Sequence, residues 1–211
     1  MNNGELVNQL KKDKLIVVTA INDTSKVEPL VDSLLKTGVK WLELTFRNEK
    51  TEECLKILQK MNKPIHYGAG TVRTLEQAKQ AKSAGAEFLV SPGFNGEIVK
   101  WAQQEDILFI PGVDSTIAIE EAQKHGLKIL KFFPAVVSGG PKWLKAIKGP
   151  YYDISFIPTG GVNIENFNEF LALPNVMAAA GSFLAKASLI DAGKFDEIEK
   201  VCKRAVNLIR E

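Results

Sequence analysis

The chain has 211 residues, of which 45% are apolar and 25% are charged. These proportions are typical of a globular domain, and a chain of this length can bury a large hydrophobic core. The 27 basic and 25 acidic residues are interspersed and leave a formal net charge of +2. Charge therefore gives no indication of a nucleic acid or an anionic membrane surface as a partner.

The cysteines and the N-terminal segment bear on the compartment. Cys54 and Cys202 lie far apart with no C-x-x-C spacing, so we expect free thiols in a reducing environment. The opening stretch MNNGELVNQLKKDK lacks the apolar core of a signal peptide, and no apolar run approaches the length of a membrane span. These features predict a soluble, cytoplasmic protein with no membrane partner.

Short apolar segments recur along the chain, and each is followed by a polar segment with helical periodicity. The predicted strands are LIVVTAI from 15, KWLELTF from 40, IHYGAGT from 65, FLVSPG from 88, ILFIPG from 106 or 107, ILKFFP from 129, ISFIPTGG from 154 and VMAAAGS from 176. Several polar segments, such as TLEQAKQAKSAG, end on glycine, which readily adopts the left-handed conformation that follows a helix.

Eight strands that alternate with helices predict a parallel sheet, and the continuous apolar runs suit strands that are buried on both faces. We predict an α/β fold, a (β/α)8 TIM barrel formed as a single domain over residues 1–211. A doubly wound open sheet is the alternative, since periodicity does not reveal closure. Residues 3–12 are expected to form an extra N-terminal helix below the barrel, and KFDEIEKVCKRAVNLIR is expected to form an amphipathic helix.

Charged residues in the second predicted strand indicate a site. In WLELTFR, side chains alternate between the two faces, so Glu43, Thr45 and Arg47 share the face opposite the apolar residues. Glu43 and Arg47 would then point into the barrel, where a charge needs a partner or a ligand. The alternative interpretation is a structural ion pair, or an Arg47 that lies in the loop after the strand.

Lys131 in the run ILKFFP follows the same logic. Its neighbours are apolar on both faces of the strand. An apolar environment lowers the pKa of a lysine, and the neutral amine is the form that attacks a carbonyl. The alternative is a lysine that extends to solvent and pairs with Glu43. Together, Lys131 and Glu43 would supply the nucleophile and the proton shuttle of a Schiff-base enzyme.

Three glycine-rich strand ends complete the pattern. GAGT offers exposed backbone and the hydroxyl of Thr71, while PTGGV and AGS follow strands seven and eight. TIM barrels commonly bind phosphate after these two strands through backbone N–H groups.

His66 and His125 are the only histidines, and no ligand spacing accompanies them, so we expect no metal and no cofactor.

Taken together, LELTFRN, GAGTV, VSPGF, IPGV, LKFFPA, GGPKWLKAIKGP, IPTGGVN and AAGSFL resemble the bacterial 2-dehydro-3-deoxy-6-phosphogluconate aldolases. These are class I aldolases that also cleave 4-hydroxy-2-oxoglutarate. The motifs occur in family order from about residue 15 to 185. The resemblance implies a carbon–carbon lyase of the Entner-Doudoroff pathway, and it implies a homotrimer, for which exposed aromatics such as Trp101 could serve.

The resemblance also implies roles for individual residues. Lys131 would form the Schiff base and Glu43 would be the general acid and base. Arg47 and Thr71 would hold the carboxylate of the keto acid, with Thr159 in the same pocket. Pro92 and Phe133 would form the walls around the keto acid. The phosphate would be bound by Gly160, Gly161, Gly181 and Ser182.

Two positions depart from the family pattern. Asn22 stands where some relatives carry a basic residue, and Asp114 stands where relatives usually have a small or apolar residue. Relatives that act on the galactonate-derived acid tend to lack the counterparts of Arg47 and Thr159, whose presence favours the gluconate-type substrate. Alternatives are another 2-keto-3-deoxy sugar acid, a non-covalent phosphosugar isomerase or epimerase, a metal-dependent aldolase and a catalytically silent carboxylate-binding protein.

Overall fold

The computed structural model describes residues 2–210 and shows strands that alternate with helices. The strands are β1 Leu15–Thr19, β2 Trp41–Thr45, β3 His66–Gly70, β4 Phe88–Val90, β5 Leu108–Ile110, β6 Gly112–Val113, β7 Ile129–Phe132, β8 Ser155–Pro158 and β9 Ala179–Gly181. The helices are α1 Asn3–Asp13, α2 Val27–Thr37, α3 Thr51–Met61, α4 Leu75–Ser83, α5 Gly96–Gln104, α6 Thr116–Lys124, α7 Gly140–Ile147, α8 Phe167–Leu171, α9 Ala187–Asp191 and α10 Phe195–Arg210.

The strands pair in parallel in two sheets. One sheet has the order β5-β4-β3-β2-β1-β9 and the other has the order β6-β7-β8. A parallel bridge between Phe156 and Val176 joins β8 to the segment that leads into β9. The carboxyl ends of neighbouring parallel strands therefore meet at one edge, where the loops to the helices begin.

Apolar side chains form two layers on either side of the strands. Leu15 and Val17 of β1 belong to the large cluster that the helices cover. Ile16 and Val18 belong to a smaller cluster that also contains Trp41. This alternation within one strand reflects the two-residue period of the strand.

The predicted helices at both ends of the chain are confirmed. Leu6 and Leu10 of α1 pack into the smaller cluster with Trp41, at the amino-terminal end of the strands. Asn2 and Glu5 form a capping box that starts α1. The buried residues of α10 are Ile198, Cys202 and Ala205, which recur at the three- and four-residue spacing of an amphipathic helix.

The predicted count of eight strands differs from the structure. Within residues 2–210 there are nine strands, because Pro111 interrupts the predicted fifth strand and separates β5 from β6. A proline has no N–H to donate to a sheet, so a strand ends or is divided there. Among the same residues, no helix has the length and the apolar character needed to cross a membrane.

Candidate active site

A cavity of about 270 Å³ opens at the carboxyl ends of the strands. It brings together every residue that the sequence nominated, with the exception of Glu43. The lining residues are Val18, Arg47, Thr71, Pro92, Lys131, Phe133, Thr159, Gly160, Gly161, Val162, Gly181 and Ser182. Val18 and Val162 were not predicted, since an isolated valine in an apolar run carries no signal that separates it from the core.

Lys131 lines this cavity, and its amine lies next to the carboxylate of Glu43. Lys131 Nζ is 3.5 Å from Glu43 Oε1, and the two residues are only 6% and 1% exposed. Lys131 therefore does not extend to solvent, and its amine lies 5.2 Å from the centre of the Phe133 ring. Glu43 Oε1 accepts no hydrogen bond from any residue in the range 2–210.

This arrangement is poorly explained as a stabilising ion pair. Burying two charges has a desolvation cost that the attraction between them often fails to offset. The buried carboxylate oxygen of Glu43 lacks a hydrogen bond, which adds to the cost of burial. A buried and incompletely satisfied pair at the edge of a cavity is instead typical of a functional site.

Gly70 makes room for the carboxylate of Glu43. A Cβ atom at position 70 would lie 2.6 Å from Glu43 Cδ, closer than real contacts of this kind. Gly70 ends β3, where it pairs with Thr45 of β2. Sequence reasoning treated GAGT as exposed backbone and missed this role, although the signal was present: a glycine strand beside a strand that carries a carboxylate.

Three polar side chains line the cavity around Lys131. Arg47 is exposed and forms no ion pair with any residue in the range 2–210. Thr71 has a left-handed backbone with φ 57°, which is unfavourable for a β-branched residue and is a feature of binding sites. Thr159 is buried, and within the described chain its hydroxyl has no hydrogen-bond partner. A planar guanidinium and two hydroxyls could bind a carboxylate.

The glycines after β8 form the opposite wall. Gly160 and Gly161 have φ angles of 92° and 79°, conformations that L side chains rarely adopt. The carbonyl oxygens of Thr159 and Gly160 accept hydrogen bonds from the N–H groups of Ala135 and Val136. These contacts hold the loop in place through its carbonyl groups. The N–H groups of the loop, together with the N–H groups near Ser182, can therefore donate hydrogen bonds to an anion.

The two departures from the family pattern lie outside the cavity lining. Asn22 is exposed, and its side chain is held by Asp191 and Asn48 at 2.9 and 3.0 Å. Asp114 is exposed immediately before the Ser115 cap of α6. Neither residue contributes to the lining of the cavity.

A larger cavity, of about 480 Å³, lies at the amino-terminal ends of the strands, but its charged groups are already paired. His66 contacts Glu87 at 2.9 Å, and Lys63 pairs with Glu28 at 3.2 Å. Across residues 2–210 no group of three His, Cys, Asp or Glu side chains is arranged to hold a metal ion.

Comparison with known proteins defines the class of protein as an aldolase. A family model described as KDPG and KHG aldolase matches residues 6–201. The chain therefore belongs to the KDPG and KHG aldolase family, which confirms the resemblance seen in the motifs. The 2-dehydro-3-deoxy-phosphogluconate aldolase of Haemophilus influenzae is 37% identical over 98% of this chain and 97% of its own length.

Two further relatives extend the comparison. The KHG/KDPG aldolase of Escherichia coli K12 is 35% identical over 91% of this chain and 90% of its own. The crystal structure of KDPG aldolase from Legionella pneumophila, which holds pyruvate as a covalent carbinolamine intermediate, is 34% identical. It superposes with a TM-score of 0.91 over 94% of this chain and 97% of that chain.

Proposed function

We propose that this protein reversibly cleaves 2-dehydro-3-deoxy-6-phosphogluconate to pyruvate and glyceraldehyde 3-phosphate through a Schiff base on Lys131. 4-Hydroxy-2-oxoglutarate, which would give pyruvate and glyoxylate, is a further substrate in this proposal. The observation that carries it is the buried pair of Lys131 and Glu43 at the edge of the cavity. The names of the relatives support the same reaction.

The first half of the reaction forms the imine. Neutral Lys131 attacks the C2 carbonyl of the keto acid, and the resulting carbinolamine loses water with a proton from Glu43. The amine and the carboxylate are close enough for a proton to pass between them directly or through one water. The protonated imine then withdraws electrons from the C3–C4 bond.

The second half breaks this bond and returns the lysine. Glu43, directly or through a water, takes the proton of the C4 hydroxyl while the C3–C4 electron pair moves into the imine. Glyceraldehyde 3-phosphate leaves, and the enamine is protonated at C3. Hydrolysis of the new imine releases pyruvate and restores the amine of Lys131.

Arg47, Thr71 and Thr159 would bind the carboxylate of the keto acid. The planar fork of an arginine makes two parallel hydrogen bonds to a carboxylate, which orients the carbonyl for attack. The unpaired guanidinium of Arg47 and the unsatisfied hydroxyl of Thr159 support this role. Pro92 and Phe133 would form the walls beside the keto acid.

The phosphate would lie on the glycine-rich side of the cavity. Gly160, Gly161, Gly181 and Ser182 line it there. A Cβ atom at Gly160 would lie 3.1 Å from the Phe133 ring, so the glycine lets this loop pack closely against the wall of the cavity. Backbone N–H groups and the Ser182 hydroxyl would then be the donors to the phosphate oxygens.

We also propose that the two sheets are parts of one closed (β/α)8 TIM barrel that forms a single domain. Three observations support closure: the pairing of β1 with β9, the bridge between Phe156 and Val176, and the hydrogen bond from Lys131 N–H to Pro111 O. The last bond links β7 to the residue between β5 and β6. Taking β5 and β6 as one strand gives the eight strands that the sequence predicts.

A homotrimer in the cytoplasm remains part of the proposal. Trp101, which the sequence suggested for an interface, is half-buried and packs against the core. The apolar side chains of Ile117, Val137 and Tyr152 are 80%, 82% and 84% exposed, so these residues are better candidates for a contact between subunits. Sedimentation or light scattering of the purified protein would decide the oligomeric state.

The substrate can be identified by comparing kcat/KM for 2-dehydro-3-deoxy-6-phosphogluconate, its unphosphorylated form and 4-hydroxy-2-oxoglutarate. The proposal expects the phosphorylated acid to be the best substrate. A preference for the galactonate-derived isomer would indicate the alternative sugar acid. Loss of activity with a chelator would favour a metal-dependent aldolase, and pyruvate binding without cleavage of any substrate would favour a silent carboxylate-binding protein.

A further inference from the structure

We propose that Asn48 is a positioning residue that holds Arg47 in place for the carboxylate of the keto acid. This inference rests on the proposed function, because that function makes Arg47 the carboxylate ligand. Asn48 does not line the cavity. It would therefore act through Arg47, its neighbour in the chain.

The side chain of Asn48 makes three hydrogen bonds, and two of them tie its loop to the loop after β1. Its Nδ2 donates to the carbonyl oxygen of Ile21 at 3.1 Å and to Oδ1 of Asn22 at 3.0 Å, both in the loop after β1. Its Oδ1 accepts from Lys50 N–H at 3.0 Å. A primary amide has two N–H donors, so both donors of this amide are used across the gap between the loops.

Asp191 of α9 determines which way these amides face. Asn22 Nδ2 lies 2.9 Å from Asp191 Oδ2, and a carboxylate only accepts hydrogen bonds. The NH2 group of Asn22 must therefore face Asp191, which leaves its oxygen to face Asn48. The NH2 group of Asn48 must face that oxygen in turn. The orientation of both amides thus follows from one carboxylate.

Arg47 lies between the hydrogen bonds of Asn48 and a second set of hydrogen bonds made by Thr45. The Thr45 hydroxyl donates to the Thr19 carbonyl oxygen at 3.2 Å, and the Thr45 carbonyl oxygen accepts from Arg47 N–H at 2.7 Å and from the Thr51 hydroxyl at 2.8 Å. β2 ends at Thr45, so Arg47 has no sheet partner of its own. Its backbone is fixed on both sides, whereas its guanidinium is free for a ligand.

Precise placement of this backbone affects binding because a bidentate pair has strict geometry. Two parallel N–H···O bonds require the guanidinium and the carboxylate to be coplanar, so a displaced guanidinium keeps at most one of them and binds the carboxylate more weakly. Without Asn48, the loop keeps the Thr45 tie but loses its contact with the loop after β1. We expect Arg47 to sample more positions.

Backbone relaxation of arginine-selective ¹⁵N-labelled protein tests this directly and does not depend on activity. The chain has four arginines, Arg47, Arg73, Arg204 and Arg210, and the Arg47→Ala variant assigns the first. We expect Asn48→Ala to lower the order parameter of the Arg47 amide and leave that of Arg73 unchanged. Asn207→Ala, an exposed asparagine on α10, is the matched control. An unchanged Arg47 amide in Asn48→Ala overturns the inference.

Kinetics separates positioning from a merely structural role. We expect Asn48→Ala to raise KM for the keto acid about three- to ten-fold and to change kcat less than about two-fold, as for the loss of one or two neutral hydrogen bonds. In an Arg47→Ala background the same change should add less than about two-fold, because the residues act together. An equal loss of kcat/KM in both backgrounds would mean that Asn48 does not act through Arg47.

The Asp191 contact supplies a conservative pair of variants. Asp191→Asn keeps an oxygen acceptor for Asn22, so it should retain the KM of the wild type, while Asp191→Ala should reproduce part of the Asn48→Ala effect. A higher KM in Asp191→Asn than in Asp191→Ala would contradict the proposed role of Asp191. If the wild-type protein releases no pyruvate from any keto acid, the proposed function fails, and the relaxation experiment still decides whether Asn48 holds Arg47.

Discussion

The amine of Lys131 lies 3.5 Å from a carboxylate oxygen of Glu43, and the two side chains are among the few buried charged groups of the described chain. They come from different strands, β7 and β2, and approach each other where the carboxyl ends of the strands meet. This relationship gives a nucleophile a proton partner within the same enclosed space.

Replacement of Glu43 by glutamine should remove the proton shuttle and preserve the shape of the site. We expect kcat/KM for the keto acid to fall by about 10²–10⁴-fold, the usual contribution of positioned acid–base catalysis. Steady-state release of pyruvate measures the loss. Glu169→Gln, at an exposed position on α8, is the matched control and should behave as the wild type. Full activity in Glu43→Gln would assign the proton transfers to another group.

Substitution of Gly70 by alanine should displace the Glu43 carboxylate. The new methyl group would lie 2.6 Å from Glu43 Cδ, so the carboxylate must leave its present position beside Lys131. We expect a loss of activity of at least about ten-fold, as for a misplaced catalytic group. Gly149→Ala is the control because nothing lies within 4 Å of its Cβ and its φ is ordinary. Equal activities of the two variants would show that the position of Glu43 is not critical.

The positions of strand residues could be predicted from the sequence better than the contacts of loop residues. Alternation in WLELTFR correctly placed Glu43 away from the helix-facing leucines, because each strand residue has only two faces to choose from. The proline at position 111 was a signal for an interruption of the strand, but the apolar residues on either side of it favoured one continuous strand.

Contacts made by loops were beyond sequence reasoning. Asn48 and Asn22 are 26 positions apart, and nothing in either loop signals that they meet. The fit of Glu43 against Gly70 likewise depends on the register of β2 against β3, which pairs Thr45 with Gly70. Register and loop contacts are properties of the assembled sheet, so a single sequence carries little information about them.

The guanidinium of Arg47 should matter for its geometry as well as its charge. We expect Arg47→Lys to raise the dissociation constant of pyruvate, since the ammonium group cannot make the two parallel hydrogen bonds. Loss of charge-assisted hydrogen bonds in Arg47→Ala should weaken binding further, by about 10- to 100-fold. Calorimetric titration with pyruvate measures both, with Arg204→Ala on α10 as the control. Unchanged binding in Arg47→Ala would exclude Arg47 as the carboxylate ligand.

Both cysteines should be unreactive in the folded protein at neutral pH. Burial raises the pKa of the Cys54 thiol from 9.0 to about 11 and that of the Cys202 thiol to about 12. The thiolate is the reactive form, so a thiol reagent should react slowly with the native protein and rapidly once urea unfolds it. Fast reaction of a native thiol would contradict the burial of these side chains.

The same pKa shifts predict a dependence of stability on pH. The unfolded chain binds fewer protons than the folded chain once the pH exceeds 9.0, because its thiols ionise first. The stabilisation is complete below pH 9.0 and is lost as the pH rises toward about 11. Urea unfolding across this range should show a fall in the free energy of unfolding that is smaller in Cys54→Ala than in the wild type.

Reduction of the pyruvate complex with borohydride, followed by peptide mapping, tests the central claim most directly. Borohydride converts an imine into a stable secondary amine, so a Schiff base leaves a permanent mark on the lysine that formed it. We expect one reduced pyruvate adduct on Lys131 of the wild type and no adduct on the Lys131→Ala variant. An unmodified Lys131, or an adduct on a different lysine, would contradict it.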